Sequence, residues 1–293
     1  MKIKSILLGL CIFTLLVSCE KEETTTPSIN NQQILINSKM DRATDDVATI
    51  IFEQESNTNS NPVSGKATNS SNSFLPDCTT ITRVPEFGTF IMPGTLVTKT
   101  IDFGTEGCPL ANGNVLKGKL ILSYEFLPLS PTNTITYTFE DFYHNDIKLD
   151  GSKTFTRGLM TSSLSNTIHP VSTMNLDLEV TFPDGTIYTR TGSRTRELIE
   201  GFETLFNYSD NVYAITENLS TTNPDGSVYS FTTESPLIYK LSCLNESSLL
   251  ITSGIVTISS NGDIASLNYG DGTCDDLAVL TVNGNSTTID FGF

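Results

Sequence analysis

The chain reads as an all-β protein: a long antiparallel meander of repeated hairpins, arranged as a curved sheet, a sandwich or an open barrel, with one short N-terminal helix. Three observations predict this class. The first is a period of two. Leu116, Gly118, Leu120, Leu122, Tyr124 and Phe126 alternate with Lys117, Lys119, Ile121, Ser123 and Glu125. Met174, Leu176, Leu178, Val180 and Phe182 alternate with Asn175, Asp177, Glu179 and Thr181. Such strands have one buried and one wetted face, which antiparallel sheets permit. The second is turn chemistry. Asp150-Gly151, Asp184-Gly185 and Asp225-Gly226 open three similar segments, and Asn261-Gly262 and Asn283-Gly284 mark two further turns. These dipeptides accept the positive φ angles of tight hairpins. The third is composition. There is no tryptophan, 38% of residues are hydrophobic, and Thr, Ser and Asn are abundant, which suits a sheet with wide solvated faces. No helical pattern separates the strand runs, so βαβ units are excluded.

Residues 1–18 read as an export signal. Lys2 and Lys4 form a positive start, Ile6 to Val17 is apolar but for Gly9 and Thr14, and the run is too short to span a bilayer. Leu16-Val17-Ser18-Cys19 resembles the lipobox of bacterial lipoproteins, which makes Cys19 the lipidated N-terminus of the mature chain. Two or three acyl chains would pass the threshold for stable attachment to a membrane. Glu20-Lys21-Glu22-Glu23 resembles the signal that carries Bacteroidetes lipoproteins to the outer face of the outer membrane.

Residues 19–38 lack periodicity and are expected to be a flexible tether. Ser38-Lys39-Met40-Asp41 has capping-box spacing, and Ala43, Val47, Ile50, Ile51 and Gln54 share one helical face. A short amphipathic helix is therefore expected over 39–55, covering a sheet face or edge rather than binding a partner. Residues 56–73 are a low-complexity linker, and 74–293 form the β domain.

Removing residues 1–18 leaves 15 Lys and Arg against 33 Asp and Glu, a formal charge of −18. That balance opposes nucleic-acid binding and docking on anionic lipid through basic residues. Of the six cysteines, Cys11 leaves with the signal and Cys19 takes the lipid. Cys78, Cys108, Cys243 and Cys274 remain, an even count that suggests two disulfides in an exported chain. Three pairings exist in principle. An internal duplication favours one of them. Ile101-Asp102-Phe103-Gly104-Thr105-Glu106-Gly107-Cys108 parallels Leu267-Asn268-Tyr269-Gly270-Asp271-Gly272-Thr273-Cys274, and each has a cysteine a hairpin's length upstream. Two cysteine-closed hairpins, Cys78–Cys108 and Cys243–Cys274, are the simplest reading.

The phrases TYTFEDFYHNDIKLDGSKTFTR (137–157 and the preceding Thr136), YTRTGSRTRELIEGFET (188–204) and LNYGDGTCDDLAVLTVNGNSTTIDFGF (267–293) resemble an uncharacterised family of Bacteroidetes (flavobacterial-type) surface lipoproteins. The resemblance covers most of residues 75–293. It implies a surface location and a β fold, and it brings no reaction, substrate or catalytic residue.

Catalytic motifs are sparse. His144 and His169 belong to no His-Glu-x-x-His run, and neither a Gly-x-Ser-x-Gly elbow nor a phosphate-binding glycine loop occurs. A Ser-His-Asp triad assembled from distant positions is the residual catalytic option. Asp271, Asp275 and Asp276 cluster beside two glycines and offer hard oxygens to a cation such as Ca²⁺, against the plainer reading of a solvated acidic turn. Tyr188, Arg190, Arg194 and Arg196 share one strand face. Guanidiniums beside an aromatic suit a carboxylate, sulfate or sugar acid, against the commoner reading of pairing with the chain's own acids. The expectation is a lipid-anchored, surface-exposed, non-catalytic structural or binding module without a cofactor, held by outer-membrane lipid through Cys19 and facing an unknown extracellular ligand or protein. The alternatives are a secreted hydrolase on glycan or peptide, and a small-ligand carrier with a barrel interior.

Overall fold

The computed structural model describes residues 29–56, 75–204, 210–246 and 249–291. The export signal, Cys19 and all but the first residue of the expected linker lie outside them. The described residues form one α-helix, α1 (Asn31–Ser56), and fourteen strands. The strands are β1 (Thr80–Val84), β2 (Leu96–Asp102), β3 (Cys108–Pro109), β4 (Val115–Glu125), β5 (Thr132–His144), β6 (Ile147–Met160), β7 (His169–Thr181), β8 (Ile187–Glu200), β9 (Val212–Thr222), β10 (Val228–Lys240), β11 (Ile251–Ser260), β12 (Asp263–Asp271), β13 (Leu277–Val282) and β14 (Asn285–Asp290). They make a single antiparallel meander in sequence order, with the two-residue β3 pairing beside β4. The sheet has two ends, β1 and β14, and does not close. It is the all-β meander expected, in its open, curved form. A 3-10 turn, Leu241–Glu246, follows β10.

The helix begins eight residues earlier than its sequence pattern suggested. Asn30 is the cap: its Oδ1 accepts from the Gln33 amide at 3.1 Å, which satisfies one of the free amides of the first turn. Ser38, the expected cap, lies inside the helix. The reason is packing. Ile29 and Ile34 are as buried as Val47 and Ile51, so residues 29–38 of the stretch read as tether join the helix and its core, while 19–28 lie outside the described residues. At 100° per residue, the buried positions from Ile34 through Met40, Val47 and Ile51 to Ile50 sweep about 200° of the helix. A helix lying on a flat sheet buries a narrower stripe. Neighbouring helix residues also reach strands far apart: Asp45 pairs with Arg194 on β8, and Asp46 with His144 on β5. Three strand spacings, about 14 Å in a flat sheet, separate those partners. The sheet therefore curls round α1.

Glycine supplies two of the bends. Gly118 in β4 has φ +78, and the register slips between Lys117 and Lys119. A Cβ there would sit 2.0 Å from the Asp141 carbonyl oxygen. Gly254 in β11 (φ +112) lies at a second slip, between Ser253 and Ile255. Such bulges kink a strand and increase its twist. Of the three Asp-Gly segments, two are hairpin turns and one is not. Asp184 and Asp225 each accept from the amide two residues on, at 3.0 and 2.9 Å. Asp150-Gly151 lies within β6 instead, and the β5–β6 reversal falls at Asn145 (φ +54). The positive φ that suggested a turn at Gly151 serves an extended strand whose neighbour's backbone passes too close for a side chain. Asn261-Gly262 and Asn283-Gly284 make the β11–β12 and β13–β14 turns, with positive φ at all four residues.

The duplication is structural. Cys78 joins Cys108 and Cys243 joins Cys274, with Cα separations of 5.8 and 5.4 Å. One ring encloses the β1–β2 hairpin and the other the β11–β12 hairpin. In both copies the polar residue before the aromatic caps the following glycine: Asp102 accepts from the Gly104 amide at 2.8 Å, and Asn268 from the Gly270 amide at 2.9 Å. Closing a loop of this length contributes about 3–4 kcal/mol by the chain-entropy model.

Candidate functional site: the inner face of the curved sheet

One register line crosses the inner face: Lys99, Leu122, Tyr137, Lys153, Leu176, Gly192, Leu219, Phe231, Ile258 and Ala265, on successive strands from β2 to β12. Most of the line is apolar, so the two lysines stand out. Lys99 is fully buried and donates to the Gln54 carbonyl at the last turn of α1. Burial, and then the charge of Arg83, holds its amine down at about 8. Lys153 is 1% exposed, its Nζ has no hydrogen-bond partner among the described residues, and burial above all lowers its pKa to about 7. The hydroxyl of Tyr137, its cross-strand neighbour, is likewise buried and unpartnered.

Beside this line lies a charged seam between helix and sheet. The Arg190 guanidinium, 2% exposed, donates from Nη2 to both oxygens of Asp41 at 2.9 and 3.0 Å. Arg194 reaches Asp41 at 2.8 Å, Asp45 at 3.2 Å and Glu217 at 2.7 Å. Burial pushes the Asp41 carboxyl up, but Arg190, Arg194 and Lys153 outweigh it and the net shift is downward. Glu217, its side chain 7% exposed, is raised by burial. Asn37 completes the seam by accepting from the Thr221 hydroxyl at 2.8 Å. A second clamp holds the far flank of α1. Asp46 accepts from Asn112 at 2.9 Å and from Asn114 at 2.7 Å, and His144 Nε2 meets it at 2.7 Å.

Of the four residues expected to grip an anion, three belong to the architecture. Arg190 and Arg194 are matched by acids of α1 and β9. Tyr188 is buried edge-on against Phe182, with ring centroids 5.3 Å apart. Arg196 differs. Its guanidinium lies 3.7 Å from the Tyr213 ring centroid and 4.6 Å from that of Tyr239, and its Nε is buried without a partner.

The three acids of the acidic loop do not converge on one point. Asp271 accepts from Thr273, Asp275 from the Leu277 amide at 3.0 Å, and Asp276 from the Leu249 amide at 2.6 Å. Asp271 and Asp275 meet only at the Thr273 hydroxyl, 3.1 Å from each, while Asp276 turns away to Leu249, and among the described residues no group of three or more acids, histidines or cysteines is placed to hold a metal ion.

His169 does meet a serine and an acid, on the outer face. Ser162 Oγ donates to Glu197 Oε2, and His169 Nε2 lies 2.9 Å from that same oxygen. His169 Nδ1 donates to the Thr167 carbonyl at 2.8 Å. In a hydrolytic triad the imidazole stands between hydroxyl and carboxylate and takes the hydroxyl proton. Here the carboxylate stands between them, and both ring nitrogens donate. The Thr167 and Glu197 bonds raise the His169 pKa and so favour the protonated ring.

Sequence reasoning missed Lys153, Glu217 and the helix acids. Lys153 shares its parity with Leu149 and Phe155, which is the signal that could have placed it inside. Asp41 and Asp45 are one helical turn apart on a flank of the apolar stripe, but nothing local says what they face. No family model, curated protein or solved structure matches this chain.

Proposed function

We propose that this chain is an exported lipoprotein, anchored in the outer membrane through Cys19 and facing outward, whose curved sheet is a non-catalytic binding module. The observation that carries the reading is the pair of disulfides, Cys78–Cys108 and Cys243–Cys274, each closing a hairpin of the same fold. Bonds of this kind persist in oxidising compartments, which agrees with the lipobox at Leu16-Val17-Ser18-Cys19 and the acidic stretch after it. The order Ser162–Glu197–His169 supports a non-catalytic role, as does the matching of buried charge to the protein's own helix. The sheet's two free ends and its polar inner seam speak against a carrier with a closed apolar lumen.

Cell fractionation tests the anchor. The wild-type chain should incorporate labelled palmitate, sediment with outer membranes and be shaved from intact cells by protease. Cys19→Ser should be unlabelled and released in soluble form. Continued sedimentation of that variant, or a wild-type chain recovered from the cytosol with four free thiols, overturns the proposal.

A further inference from the structure

The loop between β6 and β7, residues 161–168, folds back over the outer face of the sheet. Ser162 lies just past the end of β6, yet its hydroxyl donates to Glu197 on β8, so the loop crosses over β7. Beneath it the outer face changes character. Further along β7 the outward residues Asn175, Asp177 and Glu179 are exposed, whereas His169 and Val171 are buried. Val171, Glu197 and Ala214 are successive cross-strand partners, and Ala214 is buried too.

The two halves of the loop are fastened differently. Ser162 Oγ accepts the Leu164 and Ser165 amides at 3.0 and 3.2 Å, so the first half is built on the Glu197 carboxylate through that hydroxyl. The second half is held through the His169 ring, which joins the Thr167 carbonyl at 2.8 Å to Glu197 at 2.9 Å. Among the described residues, the charge that acts on this ring is that of Glu197 on β8. Its cross-strand partner on β6 is Met160, Ala214 of β9 lies beyond Glu197, and the loop from Thr161 to Ile168 contains no titratable residue.

An acceptor therefore faces each ring nitrogen. A neutral imidazole has one N–H and the cation has two, so both bonds exist together only while the ring is protonated. The bond to the carboxylate is the stronger, being charge-assisted. A ring that loses one proton keeps Nε2–H on Glu197 and turns a bare Nδ1 lone pair on the Thr167 carbonyl oxygen. Two acceptors at that separation repel, and the carbonyl moves away.

We propose that the Thr167–Ile168 end of this loop is a pH-operated latch, fastened over Val171 and Ala214 by the doubly donating His169 ring and released when the ring gives up a proton to solvent. The Thr167 and Glu197 bonds raise the His169 pKa, so the latch is closed in acid and opens as pH climbs through the raised value. Release adds Val171 and Ala214 to the exposed apolar side chains of Leu164 and Ile168, and the outer surface at this end of the sheet changes with pH.

The test follows the full chain in detergent by NMR from about pH 5 to 9, with labelled histidine rings, backbone amides and methyls. The His169 ring should titrate above 6.5 and emerge as the Nε2–H tautomer. With the same midpoint, the Thr167 backbone order parameter should fall from about 0.85 to below about 0.6. The Ile168 methyl should shift, and the Val171 methyl should become accessible to a soluble paramagnetic probe. Leu164 and Ser165, fastened through Ser162, should stay ordered. His169→Gln does not titrate and should abolish the transition. Glu197→Gln keeps an acceptor but not its charge and should lower the midpoint, which decides the matter if His169→Gln fails to fold. A Thr167–Ile168 segment that holds one position across the range overturns the inference. So does a neutral ring in the Nδ1–H form, a transition that survives His169→Gln, or an unchanged midpoint in Glu197→Gln.

Discussion

Strand β8 carries three inward arginines with two fates. Arg190 and Arg194 are locked to Asp41, Asp45 and Glu217, so their charge is consumed inside the fold. Arg196, two residues on, forms no ion pair among the described residues, stacks on two tyrosines and keeps a buried Nε without a hydrogen-bond partner there. The same residue type on the same face thus seats a helix at one level and stacks on aromatic rings at the next. Where charge is matched within the chain, removing it should damage stability. Where it is not, removal should leave the fold and alter only what the fold can hold.

The largest test of that contrast is Arg194→Met. It leaves Asp45 and Glu217 without their main counter-charge and Asp41 with Arg190 alone of its two arginines, and breaking a buried pair costs about 3–5 kcal/mol, readable by urea unfolding. A loss below about 1 kcal/mol would show that the seam does not hold the helix. Next is the double replacement Cys243→Ser with Cys274→Ser. It should cost about 2–4 kcal/mol, and the matching change at Cys78 and Cys108 should cost a similar amount if the two rings are equivalent.

Lys153→Met should act in the opposite direction and stabilise the protein at pH 7 by about 1–4 kcal/mol, because it removes a buried amine whose desolvation outweighs its attraction to Asp41 and Asp45 and whose Nζ has no hydrogen-bond partner among the described residues. The pH dependence checks the cause. With a pKa of about 7 in the folded chain and 10.5 in the unfolded one, Lys153 leaves the unfolded state with more bound protons across that window. Wild-type stability should therefore gain from this group as pH rises from about 7 to 10, and the variant should lose that gain. His169 has the reverse sign. Its raised pKa means that its pair with Glu197 stabilises fully below about pH 6.5 and fades as pH climbs through the folded value. Proton NMR should find that ring titrating above 6.5, and a value below would remove the ion pair. The smallest expected change is Arg196→Gln, at about 1 kcal/mol or less from lost stacking. A loss as large as that of Arg194→Met would erase the distinction between the two arginines.

Local chemistry made much of the fold legible. Alternation at Leu116–Phe126 and Met174–Phe182 placed β4 and β7, the Asn-Gly turns placed two hairpins, and the repeated strand ending before Cys108 and Cys274 carried the disulfide pairing. The helix face from Ala43 to Gln54 was right in every position. Its start was not, because Asn30 and Ser38 are both good caps and the choice turns on whether Ile34 finds a core. Gly151 misled for a related reason: a positive φ suits a turn and a bent strand alike, and only the neighbouring strand distinguishes them. The arginines of β8 could be placed on one face from spacing, but the α1 acids that Arg190 and Arg194 meet lie about 150 residues away.

Strand, turn and staple therefore follow from interactions among residues close in the chain, where backbone geometry and period carry the information. The trough, the helix seated in it, and the division between neutralised and unmatched arginines arise when strands from β2 to β12 bend round one element. Electrostatic pairing across that distance depends on three-dimensional approach, which no run of neighbouring residues encodes.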